Sequence, residues 1–131
     1  MTPFLFVYGT LQPGVQSDLG ARERARLTAS GVFLGPALAQ GILLELGGYP
    51  GMMPGAGSVH GGIYKLDEPE DVFVWLDSYE GISGALDDEY CRCEIEVTLE
   101  AGARITAFAY VVKKPRAATP AIPSGRWDDR T

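Results

Sequence analysis

Phe4-Leu5-Phe6-Val7-Tyr8-Gly9-Thr10-Leu11 is the stretch from which the rest of this chain is read. Its first four residues are all apolar, the pattern of a buried strand. Gly9 breaks the run. Thr10 and Leu11 then open a loop whose backbone N–H groups have no strand partner. Free N–H groups of this kind can cradle a carboxylate or an oxyanion. A strand that stops at a glycine is ordinary by itself. A second segment in the middle of the chain, Leu76-Asp77-Ser78-Tyr79-Glu80-Gly81, makes it informative.

Around these two segments the chain alternates strands and helices. Tyr90 to Leu99 places Cys91, Cys93, Ile95, Val97 and Leu99 on one face and Tyr90, Arg92, Glu94, Glu96 and Thr98 on the other. Gly102 marks a turn, and Ala103 to Val112 returns as the second strand of an antiparallel hairpin. Val59 to Leu66 reads as a further strand. Val32 to Leu46 reads as two strands, broken around Pro36 and again near Gln40-Gly41. Gly47 to Ser58 carries five glycines with Pro50 and Pro54, so it reads as a loop long enough to rim or cover a site.

Two helices are expected. Ser17-Asp18-Leu19 offers an N-cap for Ala21 to Ala29, with Gly31 as its stop. Asp67 followed by Pro69 starts the second, which runs to Tyr79 and ends at Gly81. Val72, Trp75, Leu76 and Tyr79 form its apolar stripe. The acidic stretch Asp87-Asp88-Glu89 closes the broad loop after it. This order predicts an α+β fold with a curved, mostly antiparallel sheet.

A length of 131 residues suits one domain, 1–131, with an extended tail from about residue 113. The tail carries Pro115, Pro120 and Pro123, and Trp127 is placed to pin it back onto the body. The formal charge is −6, and the basic run Lys113-Lys114-Pro115-Arg116 is short, which argues against a nucleic-acid partner. No apolar run is long enough for a membrane helix. Met1-Thr2-Pro3-Phe4 lacks a basic leader, so a cytoplasmic location is expected. Cys91 and Cys93 read as two small buried hydrophobes in a reducing compartment, kept from pairing by the extended backbone. With His60 they make a poor zinc set.

Together, Tyr8-Gly9-Thr10-Leu11 and Leu76-Asp77-Ser78-Tyr79-Glu80-Gly81 resemble the gamma-glutamylcyclotransferase-like family, which shows Tyr-Gly-[Thr/Ser]-Leu near the N-terminus and Leu-Asp-x-x-Glu-Gly in the middle. The flanks agree: Gly48-Tyr49-Pro50, Val59-His60-Gly61-Gly62-Ile63-Tyr64, Tyr90-Cys91-Arg92, Ala109-Tyr110 and Gly125-Arg126-Trp127. The match to the γ-glutamylamine, avirulence-induced branch is closer than to the longer branches. The resemblance implies a small β-barrel flanked by helices, with the site at the barrel mouth. It implies a small-molecule γ-glutamyl substrate and no cofactor or metal. It assigns the general acid/base role to Glu80.

By itself a glutamate at a helix terminus reads as an exposed residue without a role, but the local geometry is compatible with the role the resemblance implies. Glu80 follows Leu76 by four and Phe73 by seven, so helical geometry sets it near the apolar stripe. Burial there, and the negative end of the helix dipole, both raise a carboxylate's pKa. Asp77 is the nearby competitor and reads as a brace. Gly9, Thr10 and Leu11 are candidate binders of the substrate's anionic part, with Gly9 allowing close approach. Tyr8 and Tyr90 are candidate substrate-binding side chains. Arg92 reads as pairing with Glu94, Glu96 or the acidic loop, Tyr110 as structural, and His60 as non-catalytic.

The implied chemistry is ring closure of a γ-glutamyl group to 5-oxoproline with release of the attached amine. A non-catalytic binder of a glutamyl-like molecule is the alternative, and a scaffold that docks a partner through its acidic surface is a third. The oligomeric state leaves no mark in the sequence.

Overall fold

The computed structural model describes residues 1–114 and 119–127. The elements in chain order are β1 (Phe4–Val7), α1 (Ala21–Ala29), β2 (Gly31–Glu45), β3 (Pro50–Leu66), α2 (Pro69–Tyr79), β4 (Tyr90–Leu99) and β5 (Arg104–Val112). The five strands close into a barrel in the order β1-β3-β2-β4-β5. Pairing is antiparallel for β1–β3, β2–β3, β2–β4 and β4–β5. It is parallel where β5 meets β1, at Leu5 and Phe108, and where it meets β3, at Met52 and Val111. The fold is thus a mixed, mostly antiparallel five-stranded barrel with two helices, as the α+β reading expects.

Alternation along each strand divides the core in two. Phe6, Ile63, Val59, Val97, Ala37, Ala39, Ala107 and Ala109 pack with no helix residue and fill the barrel. Five strands leave a narrow interior, which is why so many of these positions are alanine. Leu5, Val7, Tyr64, Leu66, Phe108 and Tyr110 face outward under Leu27 of α1 and Val72, Phe73 and Leu76 of α2. The run Phe4–Val7 is apolar throughout because both of its faces are covered.

The structure corrects several expectations. The region from Val32 to Leu46 is not two strands. β2 is continuous, and the expected breaks are irregularities in its register with β3, between Phe33 and Gly35 and between Gln40 and Ile42. The run from Gly47 to Ser58 is not a rim loop, because Pro50 onward belongs to β3. Gly47 and Gly48 make the turn before β3 with positive φ, whereas Gly51 and Gly55 provide room. A Cβ at Gly51 would meet the Val112 and Leu46 side chains, and one at Gly55 would meet Ile42. The register passes from Met53 opposite Ile42 to Ser58 opposite Gln40, so Pro54 sits in a bulge where its missing N–H costs no ladder bond.

The helix bounds agree with expectation, but the caps do not. Gly20, with φ 74°, caps α1, while Ser17 and Asp18 build the turn before it. Glu68 rather than Asp67 caps α2, with Pro69 following. The buried stripe of α2 is Val72, Phe73 and Leu76; Tyr79 remains 38% exposed. Cys91 and Cys93 form a disulfide rather than two separate thiols. Side chains at i and i+2 share a face, and the Cα atoms are 6.0 Å apart, within the span a disulfide bridges.

Pro115 and Arg116 of the expected tail lie outside the described residues. Residues 119–127 are tied to the barrel. Ala121 bridges Leu44, the Ile122 N–H donates to the Leu43 carbonyl at 2.8 Å, and the His60 N–H donates to the Gly125 carbonyl at 2.8 Å. Trp127 is buried with Ile122 in the barrel interior. Among the described residues no helix is long and apolar enough to cross a membrane.

Because Trp127 fills the barrel interior, Trp127→Ala is expected to lower stability by about 3 kcal/mol. Urea unfolding of the two proteins checks this, and an unchanged midpoint would contradict the packing role.

Candidate active site

A cavity of about 370 Å³ opens where the end of β1 meets the C-terminus of α2 and the tyrosines of β4 and β5. Tyr8 begins one wall. Its hydroxyl donates to the Tyr110 carbonyl at 2.5 Å and accepts the Met52 N–H at 3.2 Å, which locks it between β5 and β3. Gly9 then turns the chain, and its carbonyl accepts from the Gln12 N–H at 3.2 Å and from Gln12 Nε2 at 3.1 Å. A Cβ at Gly9 would collide with the Pro50 ring, so the glycine is demanded by packing within the protein itself.

Thr10 is the buried polar residue of this turn. Its carbonyl accepts from Arg24 Nη1 at 2.7 Å, and its side chain hydrogen-bonds the Tyr79 phenol. Arg24 Nη2 also reaches the Ser17 carbonyl at 2.8 Å, so one arginine of α1 staples both ends of the connecting loop. Outside the ladders and helices, no backbone bond among the described residues uses the N–H of Gly9, Thr10 or Leu11.

The opposite wall is the end of α2. The Gly81 N–H donates to the Ser78 carbonyl at 3.1 Å and the Ile82 N–H to the Asp77 carbonyl at 2.9 Å. With Gly81 at φ 76°, this is a Schellman ending. It makes Glu80 the C-cap, half-buried, and aims it into the cavity. Burial, and then the like charge of Asp77, raise the Glu80 carboxyl from 4.5 to about 7.

β4 and β5 supply the floor. The Tyr90 hydroxyl donates to the Pro50 carbonyl, and the Tyr49 hydroxyl to Glu89 Oε1 at 2.7 Å. The Tyr110 hydroxyl donates to Asp77 Oδ1 at 2.6 Å. Burial is the first cause that pushes Tyr8, Tyr90 and Tyr110 far above the ordinary phenol value, and the Glu80 charge adds to it in each. Arg92 pairs with Asp77, Nε to Oδ1 at 3.7 Å, and not with Glu94, Glu96 or the acidic loop. Barrel curvature carries the Tyr90–Arg92 face under α2, whereas Glu94 and Glu96 stay exposed.

Glu80, Tyr8, Gly9, Thr10, Leu11 and Tyr90 all line this one cavity. Tyr110 and Tyr79 line it too without having been nominated from sequence, and Tyr49 and Pro50 bring the start of the segment expected to rim a site to its edge. For Tyr110 a signal existed: it stands directly opposite Arg92, two pairs along from Tyr90 and Val112. His60 lines a different cavity, with Arg126 and Trp127. Among the described residues, no three His, Cys, Asp or Glu side chains converge as a metal site requires.

The family described as gamma-glutamyl cyclotransferase, AIG2-like, matches residues 5–129. A gamma-glutamylcyclotransferase family protein, ytfP, from Citrobacter rodentium is 30% identical over 127 residues, 96% of each chain. An AIG2-like protein from Mus musculus superposes with a TM-score of 0.69 at 24% identity, over 92% of this chain and 86% of that one. YkqA from Bacillus subtilis gives a TM-score of 0.69 at 23% identity, and this chain spans 40% of its length. The last two likenesses concern the fold.

The raised Glu80 carboxyl has a consequence for stability. Folding favours its protonated form, so that contribution is fully present below pH 4.5 and is lost as pH rises through about 7. Glu80→Gln removes the ionisation. The variant is expected to be more stable than the native chain at pH 8, by on the order of 1–3 kcal/mol, with the gap closing at pH 5. Identical pH dependence of the two proteins in urea titrations would contradict a shifted carboxyl.

Proposed function

Because this chain belongs to the AIG2-like gamma-glutamyl cyclotransferase family, we propose that it converts γ-glutamyl amines or γ-glutamyl amino acids to 5-oxoproline and the free amine. The observation that carries this is one cavity holding both a carboxylate poised near neutral pH and a turn with unengaged N–H groups.

Glu80 as carboxylate takes a proton from the substrate's α-ammonium. The freed amine attacks the γ-carbonyl carbon, a C–N bond forms, and the carbonyl π electrons move to oxygen. Collapse of this tetrahedral species breaks the bond to the leaving nitrogen, which receives the proton from Glu80. The ring nitrogen gives up its second proton to the departing amine, so the products are 5-oxoproline and an alkylammonium or amino acid, and Glu80 ends as the carboxylate it began. One carboxyl serves both transfers because its pKa lies close to the working pH. Ring closure needs little more than a held conformer, since both reacting groups belong to one molecule.

The N–H groups of Gly9, Thr10 and Leu11 bind the substrate's anionic part. Tyr8 and Tyr90 shape the wall. Their hydroxyl protons are committed to the Tyr110 and Pro50 carbonyls, and burial keeps both phenols neutral, so neither competes with Glu80 as base.

Incubation with γ-glutamyl amines, γ-glutamyl amino acids and glutathione, following 5-oxoproline, tests this reading. Glu80→Gln is expected to lower kcat by about 10²–10⁴-fold. The native kcat/KM is expected to rise with pH through about 7, as Glu80 loses its proton. Undiminished release by a folded Glu80→Gln protein would remove Glu80 from the role. Ligand-induced stabilisation without release by the native protein would identify a binding module instead.

A further inference from the structure

The side of α2 behind Glu80 holds an arrangement that the reaction above does not use. Asp77 and Glu80 are three residues apart and neighbours on the helix surface. Asp77 is held through both main chain and side chain. Its carbonyl accepts the Ile82 N–H of the Schellman ending, and its Oδ1 accepts the Tyr110 hydroxyl at 2.6 Å. The same oxygen faces Arg92 Nε at 3.7 Å.

Arg92 is itself confined. Its guanidinium carbon stacks 4.1 Å from the Phe73 ring centroid and 5.0 Å from that of Phe108. Those two rings meet edge to face at 5.1 Å. Arg92 Nη1 is buried with no hydrogen-bond partner among the described residues. Such an orphaned donor is costly, and a purely structural cation would more readily reach solvent. Phe73 comes from α2, Arg92 from β4 and Phe108 with Tyr110 from β5, so the cluster joins three elements behind one carboxylate.

We infer that Asp77, clamped by Arg92 and Tyr110, is the positioning residue of Glu80, anchoring the end of α2 that carries it and setting the electrostatic field in which its carboxyl works. Tyr110 extends the device to the opposite wall, because its carbonyl accepts the Tyr8 hydroxyl. The groups that face Glu80 from neighbouring elements are Tyr8 after β1, Tyr79 of α2, Tyr90 of β4 and Tyr110 of β5. All four phenols are pushed above their ordinary value, which leaves them neutral. Glu89, bound by Tyr49, is a further charge on the wall. Asp77 is the charged group that acts on the Glu80 carboxyl, after burial, and it acts upward.

The role of Asp77 rests on Glu80 being the acid/base of the proposed reaction, yet its test needs no substrate. The Glu80 carboxyl is followed by carbon NMR during a pH titration of protein labelled at glutamate, and its signal is identified by loss in Glu80→Gln. Asp77→Asn removes the charge while keeping an oxygen for the Tyr110 hydroxyl. Its Glu80 midpoint is expected to fall by on the order of one pH unit. Arg92→Met leaves Asp77 uncompensated, and its midpoint is expected to rise. Asp88→Asn, in the loop beyond α2, is expected to move nothing.

An unmoved midpoint in Asp77→Asn overturns the inference. If that variant does not fold, an unmoved or lowered midpoint in Arg92→Met does the same. In active protein the acid limb of kcat/KM follows the midpoint. A shifted midpoint in a chain that releases no 5-oxoproline would sink the reaction and leave the positioning intact. An unmoved midpoint in an active chain would do the reverse.

Discussion

Closure of the barrel through β1 is the constraint on which the other features depend. β1 is four residues long, antiparallel to β3 on one side and parallel to β5 on the other. That double pairing removes the sheet edges and delivers the chain, at Tyr8, to one end of the barrel. Tyr8 then bridges both neighbours through its hydroxyl, donating to β5 and accepting from β3. The turn that follows has nowhere to go except across the barrel mouth. Pro50 presses on Gly9 there, and Arg24 holds Thr10 from α1.

The second wall depends on how a helix stops. α2 ends in a Schellman motif because Gly81 accepts a left-handed backbone that other residues resist. Glu80 therefore stands at the C-cap and turns inward instead of continuing along an exposed face. Its neighbours are phenols whose hydroxyls bond to backbone carbonyls or to Asp77. Around such groups a carboxylate loses water without gaining a compensating cation, and its affinity for a proton rises. Arg92, half-buried behind α2, is committed to Asp77 and two aromatic rings.

Much of this was legible before any coordinates. The bounds of both helices, of β1 and of β4 follow from apolar spacing, from Pro69 and from Gly81, because those signals act within a few residues. Signals that depend on distant partners were misread. The glycines from Gly47 to Gly57 look like a flexible loop in one dimension, but Gly51 and Gly55 lie within β3 and make room for Val112, Leu46 and Ile42. Arg92 seemed bound for nearby glutamates on its own strand, yet its strand face is covered by α2. Cys91 and Cys93 share a face, and the distance that seemed to separate them is one a disulfide spans.

The sequence by itself determined the two candidate-site segments, Tyr8-Gly9-Thr10-Leu11 and Leu76 to Gly81, along with the kind of fold that holds them. Local backbone preferences and apolar periodicity give the elements, since each is encoded in adjacent residues, and the paired motifs resemble a family pattern that singles out the two segments. Only the tertiary structure decided that both segments face one cavity, that Tyr110 and Arg92 hold Asp77 behind it, and how far burial raises the Glu80 carboxyl. A proton affinity is set by what surrounds a group in space. Those surroundings come from strands far apart in the chain and exist only once the barrel has closed.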